Sequence, residues 1–146
     1  MPNKNALQLG NPNISGRDFI VYSTTILTLA AAGLATSNIQ IEADASFYCT
    51  KLTYFASIAG AAITDSSRVI PLITLQMNDQ GSGRNLFNQA LALNCVAGDG
   101  SNPFILPLER PFKANSTIVL NFANFSAATT YRLDFALVGF KTRAFG

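Results

Sequence analysis

The chain has no histidine and no tryptophan. Without an imidazole, the Ser-His-Asp and Cys-His routes to an activated nucleophile are closed, and the commonest metal ligand is missing. The absence of tryptophan counts against a sugar-binding site, since such sites favour exposed aromatics. There are two cysteines, Cys49 and Cys95, and neither sits in a CxxC motif. With no histidine beside them they do not make a structural zinc site. A disulfide between them is one arrangement, and two separate buried thiols are the expected one. Charged residues make up 12% of the sequence, about half of the ~25% usual in a globular domain. The ten basic residues are scattered, and the net charge is only +2. No basic stripe is available to neutralise several phosphates, so no direct nucleic-acid partner is expected. Arg110 with Lys113, and Lys141 with Arg143, read as solvated strand ends.

Polarity is carried instead by 13 Asn, 12 Thr and 11 Ser. Interfaces lose charge at their core, so a weakly charged, hydrated surface suits a protein that is partly covered in an assembly, as well as a low-charge secreted β-domain. At 146 residues the chain can bury roughly 70% of its unfolded surface and needs no metal or disulfide to fold. Residues 19–35 form an uncharged stretch after Arg17 and imitate a secretory signal. Ser23, Thr24, Thr25 and Thr28 interrupt it, and it is shorter than the ~20 apolar residues of a membrane span. It reads as a strand followed by a small-residue turn, with neither export nor membrane insertion expected.

What is present is alternation. Residues 73–78, 118–122 and 131–135 each place an apolar side chain at every second position, the period of a half-buried strand. With these runs included, the strands are expected at 19–29, 38–44, 47–56, 69–78, 86–93, 104–112, 117–123 and 130–141. Pro103, Pro107 and Pro111 recur every four residues, and proline cannot donate to a ladder, so 104–112 is an edge strand or an extended surface segment. The turn at 79–84 contains Gly81 and Gly83, which supply positive φ. It lacks both the GK[ST] ending and the strand-to-helix context of a phosphate loop. No helical period and no tandem repeat appear. About eight strands with turns near every ten residues give an all-β, antiparallel β-sandwich spanning 17–146. Residues 1–16, rich in Asn, Pro and Gly, form a disordered tail or an extended N-terminal arm ordered against a neighbour.

Chemistry is hard to place on this pattern. Of the eight carboxylates, Glu42 and Asp44 are the one sequence-local pair, about 7 Å apart along one strand face. They read as solvated charges rather than the convergent pair of a glycosidase. The loop Asp99-Gly100-Ser101-Asn102 is too sparse in acids for calcium. No cofactor or metal is expected. The triplets at Asn13, Asn115 and Asn124 match the glycosylation pattern, as chance readily provides in so Asn- and Ser-rich a chain. The last strand turns its outward face from polar Arg132 and Asp134 to apolar Ala136, Val138 and Phe140. A sheet face that becomes apolar is covered, either by the chain's own arm or by another subunit.

Six stretches carry a resemblance. Lys51-Leu52-Thr53-Tyr54-Phe55, Gly81-Ser82-Gly83-Arg84-Asn85-Leu86-Phe87 and Pro103-Phe104-Ile105-Leu106-Pro107 resemble segments of tailed-bacteriophage virion proteins. Asn115-Ser116-Thr117, Thr129-Thr130-Tyr131-Arg132-Leu133 and Gly139-Phe140-Lys141 do so as well. The chain is similar over residues 19–141 to small head-associated proteins of the capsid cement or decoration type. The resemblance implies a jelly-roll-like sandwich, a homotrimer, and a non-enzymatic role on the capsid exterior bound to the major capsid protein. It carries over no catalytic residues. Leu7, Leu9, Arg110, Phe112, Val138 and Phe140 are the candidate subunit or capsid contacts. A tail or receptor-binding jelly roll that binds carbohydrate is the alternative.

Overall fold

The computed structural model describes residues 15–64 and 66–144. The expected N-terminal arm, with Leu7 and Leu9, lies outside them except for its last two residues, which begin the first strand. Nine strands follow in chain order: β1 (Ser15–Leu29), β2 (Leu34–Gln40), β3 (Phe47–Ile58), β4 (Ile73–Asp79), β5 (Arg84–Asn85), β6 (Leu91–Ala92), β7 (Phe104–Phe112), β8 (Thr117–Asn124) and β9 (Tyr131–Ala144). A single helical turn, Leu93–Val96, follows β6.

The strands form two antiparallel sheets. One has the order β1-β9-β3-β7, and the other the order β2-β8-β4-β5, with β6 also on β4. The first strand pairs with the last, β2 with β8, β3 with β7, and β4 with β5 and β6. The chain is thus one long hairpin rolled up until β9 also pairs with β3 and β8 with β4. That connectivity is the jelly roll, a two-sheet solution to covering strand faces on both sides of one core. The expected all-β sandwich is what forms.

Alternation decides which side chains meet between the sheets. Leu133, Phe135 and Leu137 of β9 face Ile118, Leu120 and Phe122 of β8, all essentially without solvent exposure. Phe122 meets Phe135 edge-on across the gap, ring centroids 5.9 Å apart, an arrangement favoured by the ring quadrupoles. One flank of the sandwich is closed where Thr24 of β1 hydrogen-bonds Ser37 of β2. Buried Asn124 ties one end: its Nδ2 donates to the carbonyls of Leu29, Ala30 and Thr129, and its Oδ1 accepts from Ser126 N. That amide, one of the three glycosylation-like triplets, is consumed internally.

Several boundaries move. The ladder of β2 stops at Gln40, so Glu42 and Asp44 sit beyond the strand and not on a shared strand face. Ile41 stays fully buried, which is why the alternation ran on past the strand. The strand expected at 86–93 is instead a bend, the two-residue β6 and the helical turn. It meets β4 at separate points, Leu91 pairing with Leu75 and Leu86 N donating to the Met77 carbonyl, rather than along one continuous ladder. The fourth strand starts at Ile73, after Pro71.

One irregularity shapes the first sheet. Cys49 pairs with Gly139 and Lys51 with Val138, leaving Thr50 as a bulge in β3. A β-carbon on Gly139 would stand 1.9 Å from the Tyr48 carbonyl oxygen. Glycine in this central strand is what lets the bulged backbone approach. Across the other side of β3, Cys49 pairs with Arg110 but Lys51 with Ile105. Residues 106–109 of β7 therefore bow out of the ladder, with Pro107 among them, on the free edge of the sheet, the first of the two places that the proline spacing allowed.

Candidate docking face

The pairing register builds a transverse row that no single strand displays. Phe19 of β1 lies opposite Phe140 of β9, Phe140 opposite Tyr48 of β3, and Tyr48 opposite Pro111 of β7. All four project from the outer face of the first sheet. The Tyr48 and Phe140 rings stack at 5.3 Å, and Phe19 is 73% exposed. The next row holds Val21, Val138, Lys51 and Ile105, with Ile105 66% exposed. Lys51 is the only charge in these two rows. Arg17 reaches over the margin: its guanidinium lies 4.6 Å from the Phe140 centroid and 3.8 Å from Glu109 Oε1. That ion pair is exposed and contributes little to stability. It leaves the apolar band bordered by charge, the layout of an interface core with a polar rim.

A second exposed apolar group lies at the other end of the sandwich. Ile70, Leu72 and Phe125 are all more than half exposed. Phe125 N donates to the Leu72 carbonyl at 2.8 Å, which fixes the two segments side by side.

The structure sorts the sequence candidates. Val138 and Phe140 stand on the outer face, within the two rows. Phe112 does not: it is fully buried, stacked on Phe47 with centroids 6.3 Å apart. It pairs with the inward-facing Phe47, so its side chain is unavailable to a neighbour. Arg110 also turns inward, where its Nη2 donates to Asp79 Oδ2 at 3.0 Å and to Ser82 Oγ at 3.3 Å. Neither Arg110 nor Lys141 is a solvated strand end. Phe19, Val21, Tyr48 and Ile105 were missed, because each looks ordinary within its own strand.

Lys141 is the sharpest departure. It continues the inward parity of β9, has no exposed surface, and donates from Nζ to Asp44 Oδ1 at 2.6 Å. Its ammonium also lies 5.4 Å from the Tyr22 ring centroid. Burial pulls its pKa down, but the hydrogen bonds to Asp44 and Tyr22 outweigh that and hold it above the ordinary lysine value. A folded pKa above the unfolded one means the native state holds its proton longer. The stabilisation is therefore complete below the unfolded pKa of about 10.4 and is lost as pH rises through the folded value. Melting temperatures followed from about pH 9 to about pH 12 should fall in the native chain more steeply than in Lys141→Met. Parallel curves would show that this lysine is not the group responsible.

Cys49 and Cys95 are free thiols, Cys49 buried and Cys95 exposed, so the expectation of two buried thiols holds for the first alone. Burial pushes the Cys49 thiol up to about 12, which keeps it protonated and unreactive at neutral pH. Among the described residues no group of three or more Cys, Asp or Glu side chains could hold a metal ion. No helix among them is long and apolar enough to cross a membrane.

Fold and face together define an all-β jelly roll that presents an apolar aromatic band on one sheet. No family model matches the chain, and no curated protein or solved structure matches it significantly.

Proposed function

We propose that this protein is a non-enzymatic structural component of a virus particle. It docks the outer face of the β1-β9-β3-β7 sheet on a neighbouring shell protein and reinforces the shell, as capsid cement proteins do. The observation that carries the reading is the row Phe19–Phe140–Tyr48–Pro111, which crosses all four strands of a weakly charged sheet. A contiguous exposed apolar band on a sheet face marks an interaction surface. The jelly roll adds support by analogy alone, since viral shells and lectins both use it. The resemblance of residues 19–141 to tailed-phage head proteins supplies the remaining support. The apolar group at Ile70, Leu72 and Phe125 gives the molecule a second place to be held. Two modest contacts on one rigid body combine into firm attachment when a lattice repeats them.

The partner in this reading is the major capsid protein, and the protein itself is a homotrimer on the capsid exterior. The test is the double variant Phe19→Ser/Ile105→Ser, which changes two exposed positions. Its melting temperature should stay close to that of the parent, because exposed substitutions typically cost within about 0.5 kcal/mol. Its co-sedimentation with phage heads should weaken roughly thirtyfold, as losing about 2 kcal/mol at an aromatic anchor implies. Unchanged head binding, or deletion of the protein leaving heads equally heat-resistant, would remove the docking role. A monomeric mass in analytical ultracentrifugation would remove the trimer.

A further inference from the structure

The flank of the sandwich opposite the Thr24–Ser37 contact is not closed. There the outward bow of β7 separates the edge of one sheet from the residues that follow β5. A cavity of about 510 Å³ opens between them. This is within the roughly 300–1,000 Å³ range of small-molecule sites. Its walls are apolar, with Leu52 of β3, Met77 of β4, Phe87 and Leu106 among them. Leu86, Phe87 and Leu106 pack on the core yet remain only partly buried. Leu52, Met77 and Phe112 line it from the core and exposed Arg84, Pro107 and Leu108 form its rim, so it shares no residue with the outer row of Phe19 and Phe140.

Its polar groups have one sign in excess. Arg84 and Arg110 both line the cavity. Arg110 is paired with Asp79 through Nη2, but its buried Nε–H meets no protein acceptor among the described residues. A buried donor left unpaired on a charged group is costly and calls for an acceptor. Arg84 is exposed and forms no ion pair among the described residues. Two guanidiniums against one carboxylate leave a net positive charge beside an apolar chamber. Guanidinium pairs bidentately with oxygen anions, carboxylate among them.

We propose that this cavity binds a single-chain amphiphile, an alkyl chain with one carboxylate head of the fatty-acid type. The chain lies between Leu52, Phe87 and Leu106, and the head meets Arg84 and the exposed part of the Arg110 guanidinium. The bow of β7 gives the ligand its way in, because residues 106–109 are released from the ladder and can shift without breaking strand pairs.

Isothermal titration calorimetry of the full chain with decanoate, below its micellar concentration, is the direct test, with decanol as the uncharged control. Saturable one-to-one binding of decanoate is expected, at least tenfold tighter than decanol. Arg84→Ala changes an exposed residue and should bring decanoate down to the decanol level. Leu106→Trp should fill the chamber and abolish both. No saturable decanoate binding by the native chain would overturn the proposal and leave the cavity to a side chain from a neighbouring protein. Equal affinity for decanol and decanoate would overturn it as well, as would an Arg84→Ala variant that binds decanoate as tightly as the parent.

Discussion

Phe112→Ala is expected to destabilise the protein by about 3–5 kcal/mol, the usual cost of removing a fully buried aromatic ring. The ring has no solvent exposure. It stacks on Phe47, which in turn packs edge-on against Tyr22 at 4.9 Å. The loss thus falls on a chain of three rings joining β7, β3 and β1. Phe112 also lines the cavity beside β7, so the space its ring vacates adds to a void that is already there. Domains of this size are stable by only about 5–15 kcal/mol, so the variant should unfold at markedly lower urea. Pro111→Ala, at the outward neighbour, is the control and should cost less than about 1 kcal/mol. Equilibrium urea denaturation of both variants measures the difference. Equal midpoints would mean that Phe112 is not a core residue and that β7 is turned over.

Asp79→Ala should cost roughly as much for a different reason. The Asp79 side chain is only 3% exposed, and it accepts from Arg110 at 3.0 Å, Gly81 N at 3.0 Å and Ser82 Oγ at 2.9 Å. One carboxylate thus shapes the turn between β4 and β5 and ties it to β7 in the other sheet. Removing one partner of a buried pair typically costs 3–5 kcal/mol, because the other charge is stranded. Arg110 keeps 31% of its side-chain surface, so water recovers part of that and about 2–4 kcal/mol is expected. The double variant Asp79→Ala/Arg110→Met should recover much of the loss, since the stranded charge is gone. If the double variant is as unstable as Asp79→Ala plus Arg110→Met added together, the pair is not coupled and the turn alone explains the effect.

The fold was legible because its longest strands alternate. The inward set of β9 and the edge position of the proline-spaced β7 both follow from period and proline chemistry. Orientation within β7 was not legible. Three extra residues in its bow shift the pairing between Arg110 and Ile105, and no local pattern in a proline-rich segment reports such a shift. Lys141 misled for a related reason. A lysine near the end of a strand is usually solvated, and only the tertiary fold brings Asp44 and Tyr22 to meet it. The docking face was half legible. Val138 and Phe140 are apolar at the wrong parity of their own strand, which is a sequence signal. Phe19, Tyr48 and Ile105 join them by lateral pairing of strands far apart in the chain, which period cannot reveal.

The position of β9 sets an order of events. Synthesis runs from the N-terminus, so β1, β3 and β7 all leave the ribosome before the strand that must lie between the first two. Ser15 finds Ala144 and Phe19 finds Phe140 only at the end. Such distant pairings close slowly. Until β9 inserts, Phe19 and Tyr48 belong to separate strands and the aromatic row has a gap at its centre. The row is therefore complete only once β9 has taken its place between β1 and β3. Unfinished chains lack it, so in the proposed role only completed molecules could dock.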